Sequence, residues 1–149
     1  MTIDGFKIKG GKQLKGRIRV SGSKNAALPI MAATLVNKGE YIIHNIPALR
    51  DIGTMTKLLE ELGVKSEKIG ENSYKFINTG EPKTFAPYDL VKTMRASFFV
   101  MGPLLTNHRN ATVSLPGGCA IGARPVNYHI KGFEAMGVKI DIEHGYVKG

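Results

Sequence analysis

The chain has 149 residues, a hydrophobic content of 42% and a formal net charge of +9, with 21 Lys and Arg against 12 Asp and Glu. This length supports one domain with a hydrophobic core, and no apolar run is long enough to cross a bilayer. Residues 1–13 lack the apolar core of a secretory signal, and the single cysteine excludes an intramolecular disulfide, so we expect a cytoplasmic protein.

The positive charge predicts anionic partners, and its distribution narrows their class. Lys and Arg are scattered along the chain, as in residues 7–19, without interleaved aromatic residues or a basic amphipathic helix. RNA-binding platforms and membrane-surface helices need those features. We therefore expect small phosphorylated metabolites as ligands, with no nucleic acid and no membrane. A non-catalytic anion- or nucleic-acid-binding module is the competing interpretation.

The first predicted elements are an extended segment and a buried helix. Residues 3–20 alternate weakly and read as extended chain. Residues 26–36 are apolar almost all round, which is typical of a helix buried on every side. Ser21 and Ser23 are its candidate N-caps, and Gly39 is expected to stop it.

The next predicted elements alternate between strand and helix. A strand is expected over residues 40–46, and a helix begins at Asp51 and closes at Gly63. Two strands follow near residues 64–68 and 73–77. The apolar residues that recur at helical spacing in this helix are Ile52, Met55, Leu58, Leu59 and Leu62.

The second half begins with a predicted apolar helix over residues 89–105. A strand over residues 111–115 follows, and then a glycine-rich stretch and a helix over about residues 126–136. Strands over residues 138–144 and 146–149 close the chain. The residues expected on the apolar face of the last helix are Val126, Ile130 and Phe133.

This order of elements occurs twice, with a period of about 70 residues. Each copy reads as a buried helix, a strand, a proline-bearing turn, an arginine, a second helix and a Gly-Val-Lys strand, so we predict an α/β (α+β) fold of duplicated βαβαββ-like units. Lys24 and Arg95 begin the first helix of each copy, and Arg50 and Arg124 begin the second. Basic residues at helix N-termini fit a repeated anion site, although duplicated units also share residues by descent alone.

The stretch SGSKNAAL places Lys24 and Asn25 at the mouth of the first buried helix. Free backbone N–H groups and an ammonium suit a phosphate or a carboxylate there. The spacing is not that of a P-loop. A serine-capped helix with a surface lysine explains the same residues.

The stretch PGGCAIGARP, residues 116–125, surrounds the single cysteine, Cys119, with three glycines. Glycine permits close approach of the backbone to a ligand, and Arg124 together with the following helix N-terminus favours a thiolate. A small, inert, buried cysteine is the competing interpretation.

The histidines offer no metal site by spacing. None of them stands at ligand spacing to Cys119 or to another histidine, so we expect no bound metal and no cofactor. The four are His44, His108, His129 and His144.

Three stretches, residues 21–35, 86–97 and 115–130, together resemble the enolpyruvyl transferase family, in particular the UDP-N-acetylglucosamine 1-carboxyvinyltransferases. The resemblance is collinear over essentially the whole chain. It implies transfer of the enolpyruvyl group of phosphoenolpyruvate to the 3-hydroxyl of UDP-N-acetylglucosamine, with loss of phosphate. That reaction is the first committed step of peptidoglycan synthesis, and hence of cell wall biogenesis, cell shape and cell division.

The resemblance also implies roles for individual residues. Cys119 matches the mobile-loop cysteine that acts as a general acid and is the target of fosfomycin. Lys24, Asn25 and Arg124 match the phosphoenolpyruvate site. The residues that match the UDP-sugar site are Arg95, Arg124, Pro125, Val126, Asn127 and Tyr128, and many relatives carry Asp where this chain has Asn127.

The family's proteins are longer than this chain, with two domains of three repeats each arranged as an inside-out barrel. The resemblance implies that residues 1–21 join the second domain. Residues 22–149 then form a partial first domain with one repeat near 22–85 and another near 86–149. The third repeat, the second domain and its base are absent, so we expect the C-terminal portion of the same enzyme as a partner and no turnover from this chain alone. The sister enolpyruvyl transferase of the shikimate pathway is the alternative enzyme.

Overall fold

The computed structural model describes Gly5, residues 7–117 and residues 125–149. Residues 7–23 precede the first helix and contain no helix or strand. The apolar side chains in this segment are almost fully exposed, so the predicted extended segment has no partner among the described residues. They are Ile8, Leu14, Ile18 and Val20.

The first unit contains two helices and three strands in the predicted order. Its helices are amphipathic or apolar, and its first strand begins at Gly39. Gly63, with φ +95°, follows the second helix. The elements are α1 (Lys24–Ala33), β1 (Gly39–Ile43), α2 (Arg50–Glu61), β2 (Lys65–Gly70) and β3 (Ser73–Asn78).

The second unit repeats this order with one additional strand at its start and a broken first helix. The elements are β4 (Phe85–Ala86), α3 (Tyr88–Val91), a 3-10 helix (Arg95–Val100), α4 (Met101–His108), β5 (Thr112–Ser114), α5 (Asn127–Ala135), β6 (Asp141–Glu143) and β7 (Tyr146–Lys148).

The described strands form two sheets with related topology. The first has the order β1-β3-β2 and the second β4-β5-β7-β6. In each sheet the last strand of the unit lies in the middle and pairs antiparallel with both neighbours, with Gly39 opposite Asn78 and Thr112 opposite Lys148. β4 pairs in parallel with β5. The mixed α/β class is therefore confirmed. The first unit lacks a counterpart of β4 among the described residues.

The prediction of one helix over residues 89–105 is wrong. Met94 has an extended backbone (φ −143°, ψ 117°) and separates α3 from the 3-10 helix, which continues into α4. Pro103, in the first turn of α4, has no N–H to donate to the carbonyl of Phe99. The hydropathy pattern does not predict this break, because Met94 is apolar and its burial suits a continuous buried helix as well as the observed break.

The prediction that the first helix is buried on every side is also wrong for the described structure. One face of α1 is buried, including Leu28 and Met31, whereas Ala26, Ile30 and Ala33 are exposed. α1 packs against α2 and the 3-10 helix, both on the buried face. An apolar sequence shows that a surface suits burial but does not show that a neighbour is present.

A single hydrophobic core runs through both units. Met31, Leu58 and Phe76 from the first unit belong to the same buried cluster as Met101 and Val113 from the second. The side-chain amide of Asn107 on α4 also donates a hydrogen bond of 3.1 Å to the carbonyl of Leu35 after α1. The two units therefore pack as one body. Among the described residues, no helix combines the length and apolarity needed to span a membrane.

Asn78 at the end of β3 fixes the C-terminal end of α1 to the first sheet. Its side chain is buried, donates from Nδ2 to the carbonyl of Thr34 at 3.0 Å, and accepts from the N–H of Gly80 at 2.8 Å. Loss of such a side chain leaves a buried carbonyl without its partner.

We expect Asn78→Ala to lower the free energy of unfolding by about 1–3 kcal/mol, because both hydrogen bonds are lost in a buried site. Urea denaturation followed by circular dichroism measures the change. Asn37→Ala, at an exposed asparagine, is the matched control and is expected to have little effect. Equal stability of the two variants would contradict the role given to Asn78.

Candidate functional site

One cavity of the described structure has a volume of about 440 Å³ and lies where helices from both units begin. Its walls come from the N-terminal parts of α1, α2, the 3-10 helix and α5. The start of a helix carries backbone N–H groups that have no intrahelical partner. Such N–H groups and nearby cations suit an anion such as phosphate or carboxylate. The lining residues used below are Lys24, Asn25, Asp51, Arg95, Phe99 and His129.

The first wall is the N-terminus of α1. Ser23 caps the helix, with an extended backbone and its Oγ accepting from the N–H of Ala26 at 3.4 Å. Of the two predicted caps, the structure therefore selects Ser23. A Cβ on Gly22 would lie 1.7 Å from the carbonyl oxygen of Asn45, so glycine is required for this turn to pack closely. The turn places Lys24 and Asn25 together on the lining of the cavity.

The second wall is the N-terminus of α2. The Nζ of Lys24 lies 2.8 Å from Oδ2 of Asp51, and the two side chains are 41% and 34% exposed. Sequence reasoning did not select Asp51 as a site residue. The available signal was the position of Asp51 in the first turn of its helix. That position brings Asp51 to Lys24 only when α2 packs against α1, which the sequence pattern does not show.

The third and fourth walls come from the second unit. Arg95 is the first residue of the 3-10 helix, and His129 lies in the first turn of α5. The ring of His129 contacts Phe98 at a tilt and Phe99 edge-on, each with 5.8 Å between ring centroids. These contacts fix the start of α5 against the 3-10 helix. Sequence reasoning considered His129 only as a metal ligand and missed this position.

The glycine-rich stretch is only partly described. Cys119 and Arg124 lie outside the described residues. Of the residues that follow them, Val126 is buried in the core, as its predicted place on the apolar face requires, whereas Asn127 and Tyr128 are exposed. The side chain of Val126 therefore packs inside the protein. Pro125 is exposed.

The start of the glycine-rich stretch rests on the end of α3. A Cβ on Gly117 would lie 2.7 Å from the carbonyl oxygen of Lys92, so the two backbones are in close contact. The side chain of Lys92 pairs with Asp89 and lies over the ring of Tyr88, 5.2 Å from its centroid. The hydrogen bond to the Asp89 carboxylate raises the pKa of Lys92 above its ordinary value.

The described residues contain no group of three His, Cys, Asp or Glu side chains that could hold a metal ion.

The fold is that of enolpyruvyl transferases. The structure matches the enolpyruvyl transferase NikO from Streptomyces tendae with a TM-score of 0.75 and 20% identity, over 93% of this chain and 30% of that one. It matches the EPSP synthase from Acinetobacter baumannii with a TM-score of 0.67 and 15% identity, over 93% of this chain and 33% of that one. At these identities the likeness concerns the fold.

The sequence narrows this class to a family. The family model for EPSP synthase (3-phosphoshikimate 1-carboxyvinyltransferase) matches residues 8–149, and the chain belongs to this enolpyruvyl transferase family.

The sequence identity to curated relatives is higher than the identity to these solved structures. The chain is 55% identical to the UDP-N-acetylglucosamine 1-carboxyvinyltransferase of Geotalea uraniireducens and 56% identical to that of Geobacter metallireducens. The protein of the same name from Dichelobacter nodosus is 49% identical. Each match covers 98% of this chain but 35% of the relative, so the chain spans about a third of the length of these relatives.

We expect Gly117→Ala to lower the free energy of unfolding by roughly 1–3 kcal/mol, because the new methyl group overlaps the Lys92 carbonyl and the backbone has to shift. Urea denaturation measures it. Gly132→Ala is the matched control, since that position lies within α5 and faces open space. There the alanine is expected to be neutral or to stabilise by about 0.5–1 kcal/mol. A Gly117 variant as stable as the wild type would show that the contact yields without cost.

Proposed function

We propose that this chain is the N-terminal part of an enzyme that transfers the enolpyruvyl group of phosphoenolpyruvate to the 3-hydroxyl of UDP-N-acetylglucosamine and releases phosphate. The observation that carries the proposal is the identity of 49–56% with three enzymes named for that activity, over 98% of the chain. The cavity lined by Lys24 and Arg95 supports it, because both substrates are anions. The proposed location is the cytoplasm, and the proposed process is peptidoglycan synthesis.

Lys24, Asn25 and Arg124 are the proposed phosphoenolpyruvate site. The position of Lys24 and Asn25 on the cavity wall at the start of α1 supports this assignment. An ammonium and the free N–H groups of a helix N-terminus both stabilise a phosphate or a carboxylate. Arg124 is assigned by the resemblance alone.

The UDP-sugar is proposed to bind along the second unit. Arg95 lines the cavity next to the phosphoenolpyruvate site and carries a charge suited to a diphosphate. Exposed Asn127 and Tyr128 are available for direct contact, whereas buried Val126 contributes through its backbone. Pro125 completes this part of the site.

Cys119 is the proposed general acid. Its proton goes to the methylene carbon of phosphoenolpyruvate while the sugar hydroxyl oxygen bonds to the neighbouring carbon and gives up its own proton to a base outside this chain. The tetrahedral intermediate then loses phosphate and one proton of the new methyl group, which restores the double bond. A glycine-rich segment around the thiol suits closure over the substrates.

The proposed architecture is that of the inside-out barrel. Residues 22–85 and 86–149 form two of the three repeats of the first domain, and residues 1–21 join the second domain. The exposed apolar side chains of Leu14 and Ile18 and the exposed face of α1 support this, because they have no partner among the described residues. The third repeat and the second domain are proposed to cover them.

Synthesis of 5-enolpyruvylshikimate 3-phosphate is the second candidate function. The description of the matching family model and the likeness to an EPSP synthase structure favour it. The two functions share phosphoenolpyruvate and differ in the acceptor. The two are distinguished by measuring phosphate release from phosphoenolpyruvate by the full-length protein, with either UDP-N-acetylglucosamine or shikimate 3-phosphate as the acceptor. Turnover with shikimate 3-phosphate but not with UDP-N-acetylglucosamine would overturn our proposal.

Fosfomycin is expected to modify Cys119 in the full-length protein when UDP-N-acetylglucosamine is bound, because the thiolate opens the epoxide and forms a carbon–sulfur bond. Peptide mass spectrometry locates the adduct. Cys119→Asp replaces the thiol by another acid and is expected to retain turnover while losing both the adduct and the inhibition. Inhibition without modification of Cys119 would refute its assignment.

The 149-residue chain alone is expected to release no phosphate from the two substrates, because the proposed base and much of the UDP-sugar site lie outside it. A steady-state phosphate-release assay with the full-length protein as positive control measures this. Robust turnover by the chain alone would show that it contains a complete active site.

A further inference from the structure

Asp51 places a carboxylate on the wall of a cavity that is otherwise suited to anions. Its Oδ2 lies 2.8 Å from Nζ of Lys24, and both residues line the cavity. A negative charge here weakens the attraction of the cavity for phosphate by simple Coulomb repulsion. Its presence therefore calls for a compensating role.

Stability does not supply that role. With side chains 41% and 34% exposed, this pair belongs to the class of solvent-accessible ion pairs that contribute little to folding. The other ion pairs in the described part of the chain, such as Lys83 with Glu61 at 2.9 Å, lie away from the cavity lining. Among the described residues, the Lys24–Asp51 ion pair alone links the cavity lining to a charge on a neighbouring helix.

The geometry supplies a positional role. Lys24 carries its charge on a long flexible side chain, which loses conformational entropy when a ligand immobilises it. Asp51 has a short side chain in the first turn of α2, where the helix dipole favours a carboxylate. α2 packs on α1 through buried residues that include Leu28 and Ile52, so the carboxylate is held at a fixed place relative to the start of α1.

We propose that Asp51 is a positioning residue that holds the ammonium of Lys24 in place for the phosphoenolpyruvate anion. This inference rests on the proposed function, in which Lys24 binds phosphoenolpyruvate. Asp51 acts through Lys24 and needs no contact with the substrate.

The two effects of Asp51 separate in the kinetics. Removing its charge strengthens the attraction of the cavity for the anion. This gain offsets the entropy cost of ordering a freed Lys24, so KM for phosphoenolpyruvate is not expected to rise. Releasing Lys24 misplaces the charge during the chemical step, and misplaced groups reduce kcat. Asp51→Asn is therefore expected to lower kcat by about tenfold or more without raising KM for phosphoenolpyruvate. Asp51→Glu restores a carboxylate and is expected to recover part of kcat.

The test is a double-mutant cycle in the full-length protein. Asp51→Asn and Lys24→Gln are made singly and together, and kcat and KM are measured for both substrates. A positioning role predicts that Asp51→Asn has no further effect on kcat once Lys24 is replaced. Glu61→Gln is the matched control, since it breaks an ion pair of similar length away from the cavity, and it is expected to leave kcat unchanged.

Each outcome decides the question. If the wild type is active with UDP-N-acetylglucosamine, two results overturn the positioning role. One is a wild-type kcat in Asp51→Asn. The other is a loss of kcat from Asp51→Asn that is as large in the Lys24→Gln background as in the wild type. A loss of kcat matched by a lower thermal midpoint than in Glu61→Gln, with no recovery in Asp51→Glu, overturns it in favour of a structural role. A wild-type protein that turns over neither acceptor shows that the proposed function itself has failed, and the inference fails with it.

Discussion

The packing of α1 against α2 and the 3-10 helix is the contact on which the rest of the structure depends. It buries Leu28 and Met31 and joins the first unit to the second. Since the starts of these helices meet at one place, the same packing assembles the cavity walls and brings Lys24 to Asp51. Burial of apolar surface supplies the stability, and the cavity is a consequence of where the helices begin.

The repeated unit explains why the cavity is cationic. Lys24 begins α1 in the first unit, Arg95 begins the 3-10 helix in the second, and both line the cavity. A basic residue at a helix start thus occurs twice. Because the fold places the two helix starts together, both positive charges face the same cavity. The second helix of each unit contributes a different side chain, Asp51 in one and His129 in the other, so the two halves of the cavity are not equivalent.

Local patterns predicted most of the secondary structure. Helical spacing, a closing glycine and alternating strands identified α2, β2 and β3. Serine chemistry narrowed the cap of α1 to Ser21 or Ser23, and the structure shows Ser23. The failures concern information that is not local. The break at Met94 leaves that apolar residue buried, so the hydropathy pattern is the same with or without it. The exposure of one face of α1 depends on which neighbouring elements are present.

The sequence by itself determined the mixed α/β class and made Lys24, Asn25 and Arg95 candidates for anion binding, because each follows from periodicity or from a residue at a helix start. Only the tertiary structure decided that Lys24 pairs with Asp51, that His129 packs between Phe98 and Phe99, and that these side chains share one cavity. The reason is distance along the chain. Contacts between helix starts that are tens of residues apart arise from packing, and no local pattern encodes them.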